Sequence, residues 1–132
     1  MSNIAAYNEK ALLDWNLGGA TPTRPGAWGA GLSLGSPTST SGSEITTGSG
    51  YARQTIGFGA AASPGGSATN NTAATWGPFS STCSISGLQI WDTVLSLNSG
   101  NMLWYGLLAT ARTLLANDSV ILASGALTIS LA

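Results

Sequence analysis

The feature that most constrains this chain is its regular interruption by turn-forming residues. After Gly19, clusters of glycine, proline, serine and asparagine recur at intervals of roughly 8–14 residues. Between the clusters, stretches such as "AWGAGLSLG" (residues 27–35) and "YARQTIGFG" (residues 51–59) place side chains of different character at alternate positions. Alternation is typical of β-strands, whose successive side chains point to opposite faces. The pattern predicts about seven or eight short strands, and so a mainly β, antiparallel sandwich or jelly-roll-like domain.

The first residues follow a different period, which predicts one N-terminal α-helix. Apolar side chains recur there at spacings of three and four: Ile4, Tyr7, Ala11, Leu12 and Trp15. Ser2 or Asn3 is expected to cap this helix, and Gly18 and Gly19 to end it. We therefore divide the chain into a helical arm, residues 1–19, and a single β-domain, residues 20–132.

Turn and strand chemistry gives further expectations along the β-domain. The small polar residues 36–50 predict a long loop, of a length that is usually functional, contact-making or disordered, and we treat it as a candidate contact surface. Residues 62–71 read as a turn, and Gly77-Pro78 as an interruption in a short strand. Residues 81–92 form a strand with a bulge at Gly87, residues 101–114 form another, and two short strands surround Gly125.

The composition limits the classes of partner. Charged residues make up 7% of the chain, against about 25% in a typical soluble domain. With four cationic residues and a net charge of −1, the chain lacks the basic patch that nucleic acid requires, so nucleic acid is not an expected partner. The apolar stretch at residues 102–111 is too short to span a membrane as a helix, and no secretory signal precedes the domain. Such a weakly charged surface suits a chain whose neighbours cover it in a fixed assembly.

The sequence offers no catalytic constellation, and we expect no enzymatic activity. Histidine is absent, and the lone Cys83 cannot build a zinc site, so neither a metal nor another cofactor is predicted. The glycines around Arg53 fit neither the phosphate-loop spacing nor the dinucleotide fingerprint. A pair of carboxylates among Glu44, Asp92 and Asp118 is the remaining route to hydrolysis, and it is the least favoured one.

The five tryptophans are expected mainly in the core, because each ring buries a large apolar area. Trp28, Trp76, Trp91 and Trp104 fall in different predicted strands. An aromatic platform for sugars or bases is the alternative for one or two of the rings. Such a platform needs polar partners, and the sequence alone does not place them.

Arg53 is the cation that most needs a partner, because it lies in a predicted strand. We expect a carboxylate, or the backbone carbonyls of a neighbouring subunit, to bind it. We also expect Arg53→Ala to weaken subunit association more than folding of the monomer. The candidate interface residues are Arg53, Tyr51, Glu44, Arg24, Trp15 and Tyr7.

Several stretches together resemble a family of small bacteriophage virion proteins that are commonly labelled tail fibre proteins. They are "YNEKALLDWNLGGATPTRP", "GLSLGSPTSTSGSE", "GSGYARQTIGFGAA", "GGSATNN" and "MLWYGLLATARTL" with the closing "GALTISLA". "GYARQ" followed by "FGAA" is the most distinctive of these. "AWGAGLSLG" departs from the β-branched strand that is more usual in the family.

The resemblance implies a structural protein of the virion. Because heptads and internal repeats are absent, we favour a compact surface subunit similar to capsid decoration, or cement, proteins. Such proteins sit on the capsid as homotrimers, so the implied partners are further copies of this chain and the major capsid protein or other virion proteins. A tail fibre or receptor-adhesion subunit is the alternative.

Overall fold

The computed structural model describes residues 3–45, 50–95 and 99–131. In these ranges the chain forms one helix and nine strands, and all the strand pairs are antiparallel. The predicted fold class, mainly β with one N-terminal helix, is confirmed. The jelly-roll-like connectivity and the boundary between residues 19 and 20 stay predictions.

The N-terminal segment begins with a short strand, β1 (Asn3–Ile4), and continues as the helix α1 (Ala6–Leu17). The prediction of the helix and of its end is confirmed, since Gly18 has a φ of 87° and its N–H bonds to the Asp14 carbonyl. The predicted cap is wrong for Asn3: Ala5 occupies the cap position, without a side-chain cap, while Asn3 pairs with β7. Ser2, the other predicted cap, lies outside the described residues.

A five-stranded sheet forms the centre of the molecule, in the order β1–β7–β6–β2–β3. Its other strands are β2 (Trp28–Ser33), β3 (Gln54–Ile56), β6 (Cys83–Trp91) and β7 (Met102–Leu114). The predicted irregularity at Gly87 is confirmed by a register shift between Ile85 and Gly87. The extra residues of this shift lie on β7, between Leu107 and Arg112. A side chain at Gly87 would come within 2.9 Å of the Gly106 carbonyl oxygen and of Pro37, so there is little room for one at this point.

Two short ribbons supply the remaining strands. β4 (Ser67–Thr69) pairs with β9 (Thr128–Ser130), and β5 (Ala74–Trp76) pairs with β8 (Val120–Leu122). The two strands predicted around Gly125 are therefore confirmed, but the segment predicted as a turn at residues 62–71 contains β4. The ribbons and the sheet share one core: Ala30, Leu32, Ile45, Tyr51, Ile56, Ala74, Trp76, Phe79, Ile85, Ile90, Leu114 and Ile129.

The segment at residues 51–59 differs from the regular strand that alternation predicts. Only Gln54–Ile56 pair as a strand. Alternation places Tyr51, Arg53 and Thr55 on one face of the strand. Tyr51 and Arg53 are buried as this predicts, but Thr55 is exposed, and Ile56 of the opposite face is buried. The alternation changes phase after Arg53 because the side chains before it belong to a polar cluster rather than to the apolar core.

The predicted loop at residues 36–50 is described up to Ile45. The end of this part folds back on the sheet. There Glu44 forms an isolated antiparallel β-bridge with Ser33, and the Ile45 N–H donates to the Leu32 carbonyl. Gly42 and Ile45 are buried, so this part of the loop contacts the chain's own sheet. Residues 46–49 of the predicted loop lie outside the described residues.

Candidate functional site

Three of the six predicted interface residues come together in a buried cluster, which we call the arginine cluster: Glu44, Tyr51, Arg53 and Trp91. Arg53 binds the Glu44 carboxylate through two parallel hydrogen bonds, Nε to Oε1 and Nη2 to Oε2, each 2.7 Å long. The Arg53 side chain is fully buried and that of Glu44 is 12% exposed. A bidentate pair of this kind is strong and fixes the orientation of both groups.

Tyr51 links the ion pair to the central sheet. Its hydroxyl donates to Glu44 Oε1 at 2.6 Å and accepts from the backbone N–H of Leu32 at 3.1 Å. Burial, followed by the hydrogen bond to Glu44, raises the pKa of Tyr51 well above its usual range. The phenol therefore stays protonated at neutral pH and acts as a structural donor.

Arg53 also binds the backbone of the segment that follows β6. Its Nη1 donates to the carbonyl oxygens of Leu95, at 2.5 Å, and Ser99, at 2.9 Å. The guanidinium also lies 3.8 Å from the centre of the Trp91 ring, a cation–π contact. Arg53 thus ties the turn after β6 to the end of the 36–45 loop.

Two residues of neighbouring strands, Gly31 of β2 and Gln89 of β6, lie next to the arginine cluster. A Cβ at Gly31 would approach Glu44 Oε1 to 2.9 Å and the Tyr51 hydroxyl to 3.0 Å, so β2 has no side chain at this point. Gln89, fully buried in β6, donates to Ser33 Oγ at 2.5 Å and to the Gly42 carbonyl. Its Oε1 accepts from the Trp91 indole N–H at 2.8 Å. Sequence reasoning missed Gln89 and Trp91 as parts of one network, and a polar residue inside an otherwise apolar strand was the available signal.

The expected partners of Arg53, a carboxylate and backbone carbonyls, are both present, and both belong to the same chain. Because Arg53 and Tyr51 are each 4% exposed, their side chains offer little surface to another subunit. Their contribution to an interface stays a prediction, whereas their contribution to the fold is visible in the contacts.

The other three predicted residues, Tyr7, Trp15 and Arg24, line one groove between α1 and the sheet. Its volume is about 430 Å³. The helix supplies one wall, the 22–25 segment the second, and the sheet the floor, with Trp28 and Trp104. Asp92, directly after β6, also lines the groove. A second cavity of about 290 Å³ continues over Trp28 and Trp104 to Phe58. We call the two together the aromatic trough.

The helix wall of the trough remains open. No residue of α1 is buried, and Tyr7 and Trp15 are 49% and 61% exposed. The predicted apolar stripe thus faces the sheet without closing against it. Arg24 lies with its guanidinium 5.4 Å from the centre of the Trp28 ring.

Within residues 3–45, 50–95 and 99–131, no group of three or more histidine, cysteine or acidic side chains is placed to hold a metal ion. In the same ranges, no helix combines the length and apolar character that crossing a membrane requires.

Residues 3–130 match the family model described as Podophage GP4 fiber I protein gp80. The chain belongs to this family. The match includes every strand and the helix, so the whole fold, with both the arginine cluster and the aromatic trough, lies inside the family region. The resemblance to phage fibre-type virion proteins is confirmed. No curated protein gives a significant match to the chain.

Membership of the podophage fibre I family supports a structural role in the bacteriophage virion. The family description names a fibre, which favours the alternative of the two roles expected from the sequence. It does not distinguish a fibre from a capsid decoration protein for this chain.

Proposed function

We propose that the chain is a subunit of a tail fibre through which the virion attaches to its host. The family match over residues 3–130 carries this proposal, because that description is of a fibre protein and the match covers the complete fold. The open aromatic trough supports it, since a compact domain that exposes large rings has surface suited to binding.

We also propose that the fibre subunits associate as a homotrimer. Several large apolar side chains on α1 are exposed, among them Leu13 and Leu17 at 59% and 80%. Isolated exposed leucines are common, but two on one face of a short helix favour a neighbour that covers them.

A binding role is better supported than a catalytic one. Four of the five carboxylates are engaged in the structure: Asp14 with Lys10, Glu44 with Arg53, Asp92 with Asn101, and Asp118 with the Leu115 N–H. Paired carboxylates for hydrolysis would have to face a common substrate, whereas each of these four is already held by a partner within the chain. If Glu44→Gln, Asp92→Asn or Asp118→Asn abolished a measurable hydrolysis by purified virions, the proposal would be overturned.

A capsid decoration protein is the second candidate, favoured by the compact sheet-and-ribbon fold and by the absence of heptads from the sequence. Localisation decides between the two. We expect cryo-electron microscopy of the virion to place a small number of copies at the tail, and excess purified protein to block adsorption. Hundreds of copies on the head, together with heat-sensitive capsids when the protein is missing, would favour decoration and reject the fibre.

A further inference from the structure

We infer that the aromatic trough is a binding site for a neutral oligosaccharide. This inference deepens the proposed function, on which it rests for the biological source of the sugar, a glycan of the host surface. The site itself is argued from the lining of the trough.

The trough combines the two kinds of group that a sugar ring requires. Pyranose rings have faces of C–H groups, which pack on aromatic rings, and a rim of hydroxyls, which need hydrogen-bonding partners. The aromatic side chains of the lining are Tyr7, Trp15, Trp28, Phe58 and Trp104, and the polar ones are Asn8, Thr23, Arg24 and Asp92. The larger cavity, about 430 Å³, falls within the range of about 300–1,000 Å³ that is common for small-ligand sites.

The indole N–H groups divide the tryptophans into two sets. Trp76 donates to the Ala30 carbonyl at 3.1 Å, and Trp91 donates to Gln89 Oε1 at 2.8 Å. Within the described part of the chain, Trp15, Trp28 and Trp104 show no hydrogen bond from their indoles. Every tryptophan of the trough therefore keeps a donor for a ligand, whereas both tryptophans outside it are satisfied.

The backbone under the trough is already paired at Trp28 and Trp104. At Trp28, β2 pairs with Ile56 of β3, and at Trp104, β7 pairs with both Ile4 and Ile90. Because these strands are engaged within the sheet, a peptide cannot bind there by strand addition. Ring faces and side-chain polar groups remain, and a saccharide uses both.

The charges favour a neutral ligand. Arg24 and Asp92 are the two charged side chains of the lining and offset each other. Asp92 is oriented by Asn101, which donates to it through its backbone N–H at 2.7 Å and its side-chain amide at 2.9 Å. An oriented carboxylate accepts from a sugar hydroxyl but repels an acidic glycan.

The test is a titration of the purified full chain with cellohexaose, maltohexaose and hexagalacturonate, observed through the indole N–H signals in NMR spectra. With at least one of the two neutral sugars, we expect saturable shifts of the Trp15, Trp28 and Trp104 signals, with Trp76 and Trp91 unchanged. The inference is overturned if neither neutral sugar produces shifts at about 10 mM, well above a millimolar dissociation constant. Shifts with hexagalacturonate alone, or equal shifts at all five indoles, overturn it as well.

Two exposed residues of the same helix provide matched variants. Trp15 and Leu13 are 61% and 59% exposed, but Leu13 does not line the trough. We expect Trp15→Ala to weaken binding about threefold to tenfold, the range of one aromatic contact. Trp15→Phe, which keeps a ring but loses the indole donor, should fall between Trp15→Ala and the parent, and Leu13→Ala should bind like the parent. If Trp15→Ala instead dissociates an oligomer in sedimentation while sugar binding persists, another copy of the chain covers the trough and the inference fails.

The outcomes separate this inference from the proposed function. If the protein binds sugar but is located on the capsid, the inference about the trough stands and the proposed tail-fibre role is rejected. If the protein is located at the tail but binds no sugar, the tail-fibre role stands and the inference about the trough is rejected.

Discussion

Two arginine–tryptophan contacts in the molecule have similar chemistry and opposite surroundings. Arg53 lies 3.8 Å from the Trp91 ring centre inside the protein, where Glu44 and loop carbonyls bind it. Arg24 lies 5.4 Å from the Trp28 ring centre at the surface, on the wall of the aromatic trough. The first arginine is committed to the fold, whereas the second keeps donors that a ligand can use. Burial and the presence of a carboxylate, rather than the residue pair itself, decide between these roles.

The largest effect is expected from Arg53→Met, which keeps much of the apolar length of the side chain but removes its charge. Glu44 would then be left largely buried without its partner, and the loop would lose its bonds at Leu95 and Ser99. We expect a loss of about 3–5 kcal/mol in the free energy of unfolding, measured by urea denaturation. Arg112→Met, an exposed control, should change it by less than about 0.5 kcal/mol.

This expectation replaces the one made from the sequence, that loss of Arg53 would act mainly on subunit association. Denaturation of the variant at protein concentrations on both sides of the association midpoint distinguishes the two. A loss of stability that appears only in the assembled form would restore the earlier expectation.

Tyr51→Phe removes one hydroxyl from the same cluster and should have a smaller effect. The Leu32 N–H and Glu44 would each lose a hydrogen bond of the buried phenol, which corresponds to about 1–3 kcal/mol of stability. Thermal unfolding at neutral pH measures the change, and Tyr7→Phe, at a half-exposed tyrosine, serves as the control. If the two variants lost the same stability, the hydrogen bonds of the buried Tyr51 hydroxyl would contribute no more than those of the half-exposed Tyr7 hydroxyl.

The same residue predicts a dependence on alkaline pH. The pKa of Tyr51 is higher in the folded chain, through burial and then Glu44, so the folded state retains the proton longer than the unfolded state. Its contribution is fully present below about pH 10, the usual tyrosine pKa, and stability falls as the pH rises above it, by up to about 1.4 kcal/mol per unit. Tyr51→Phe should show a shallower decline, and parallel curves for parent and variant would contradict the assignment.

The smallest expected effect on folding is at the second arginine. Arg24→Gln should change the free energy of unfolding by less than about 0.5–1 kcal/mol, because an exposed cation–π contact contributes little. A loss comparable with that of Arg53→Met would remove the distinction between the two contacts. A chemical denaturation series of both variants, measured side by side, decides it.

Local patterns predicted much of the fold because the interactions responsible are local. The α1 helix, its end at Gly18 and the bulge at Gly87 follow from residue spacing and from backbone conformations that favour glycine. The β4 strand was missed because its pairing with β9 is distant in sequence, and three small residues carry little signal.

The candidate site was predicted as a set of residues but not as an arrangement. Sequence named Glu44, Tyr51 and Arg53, which lie within ten positions of one another and do meet. It did not place the loop carbonyls at Leu95 and Ser99 on Arg53, because these contacts span more than forty positions. The sequence also did not show which polar side chains lie beside the tryptophans. Asn8, Arg24 and Asp92 are far apart in sequence and line one trough only because α1 packs over the sheet.

The bulge at Gly87 has a consequence for the solubility of a chain with so little charge. Beyond Tyr105, the outer edge of β7 has no paired strand within the described residues, and open edges of this kind recruit other chains into growing sheets. The register shift between Ile85 and Gly87 makes β7 irregular along that edge, and Arg112, one of four cations, is exposed on it. An uneven, charged edge is a poor template for a further strand. The irregular register of β7 therefore lowers the tendency of this edge to add a strand from another chain.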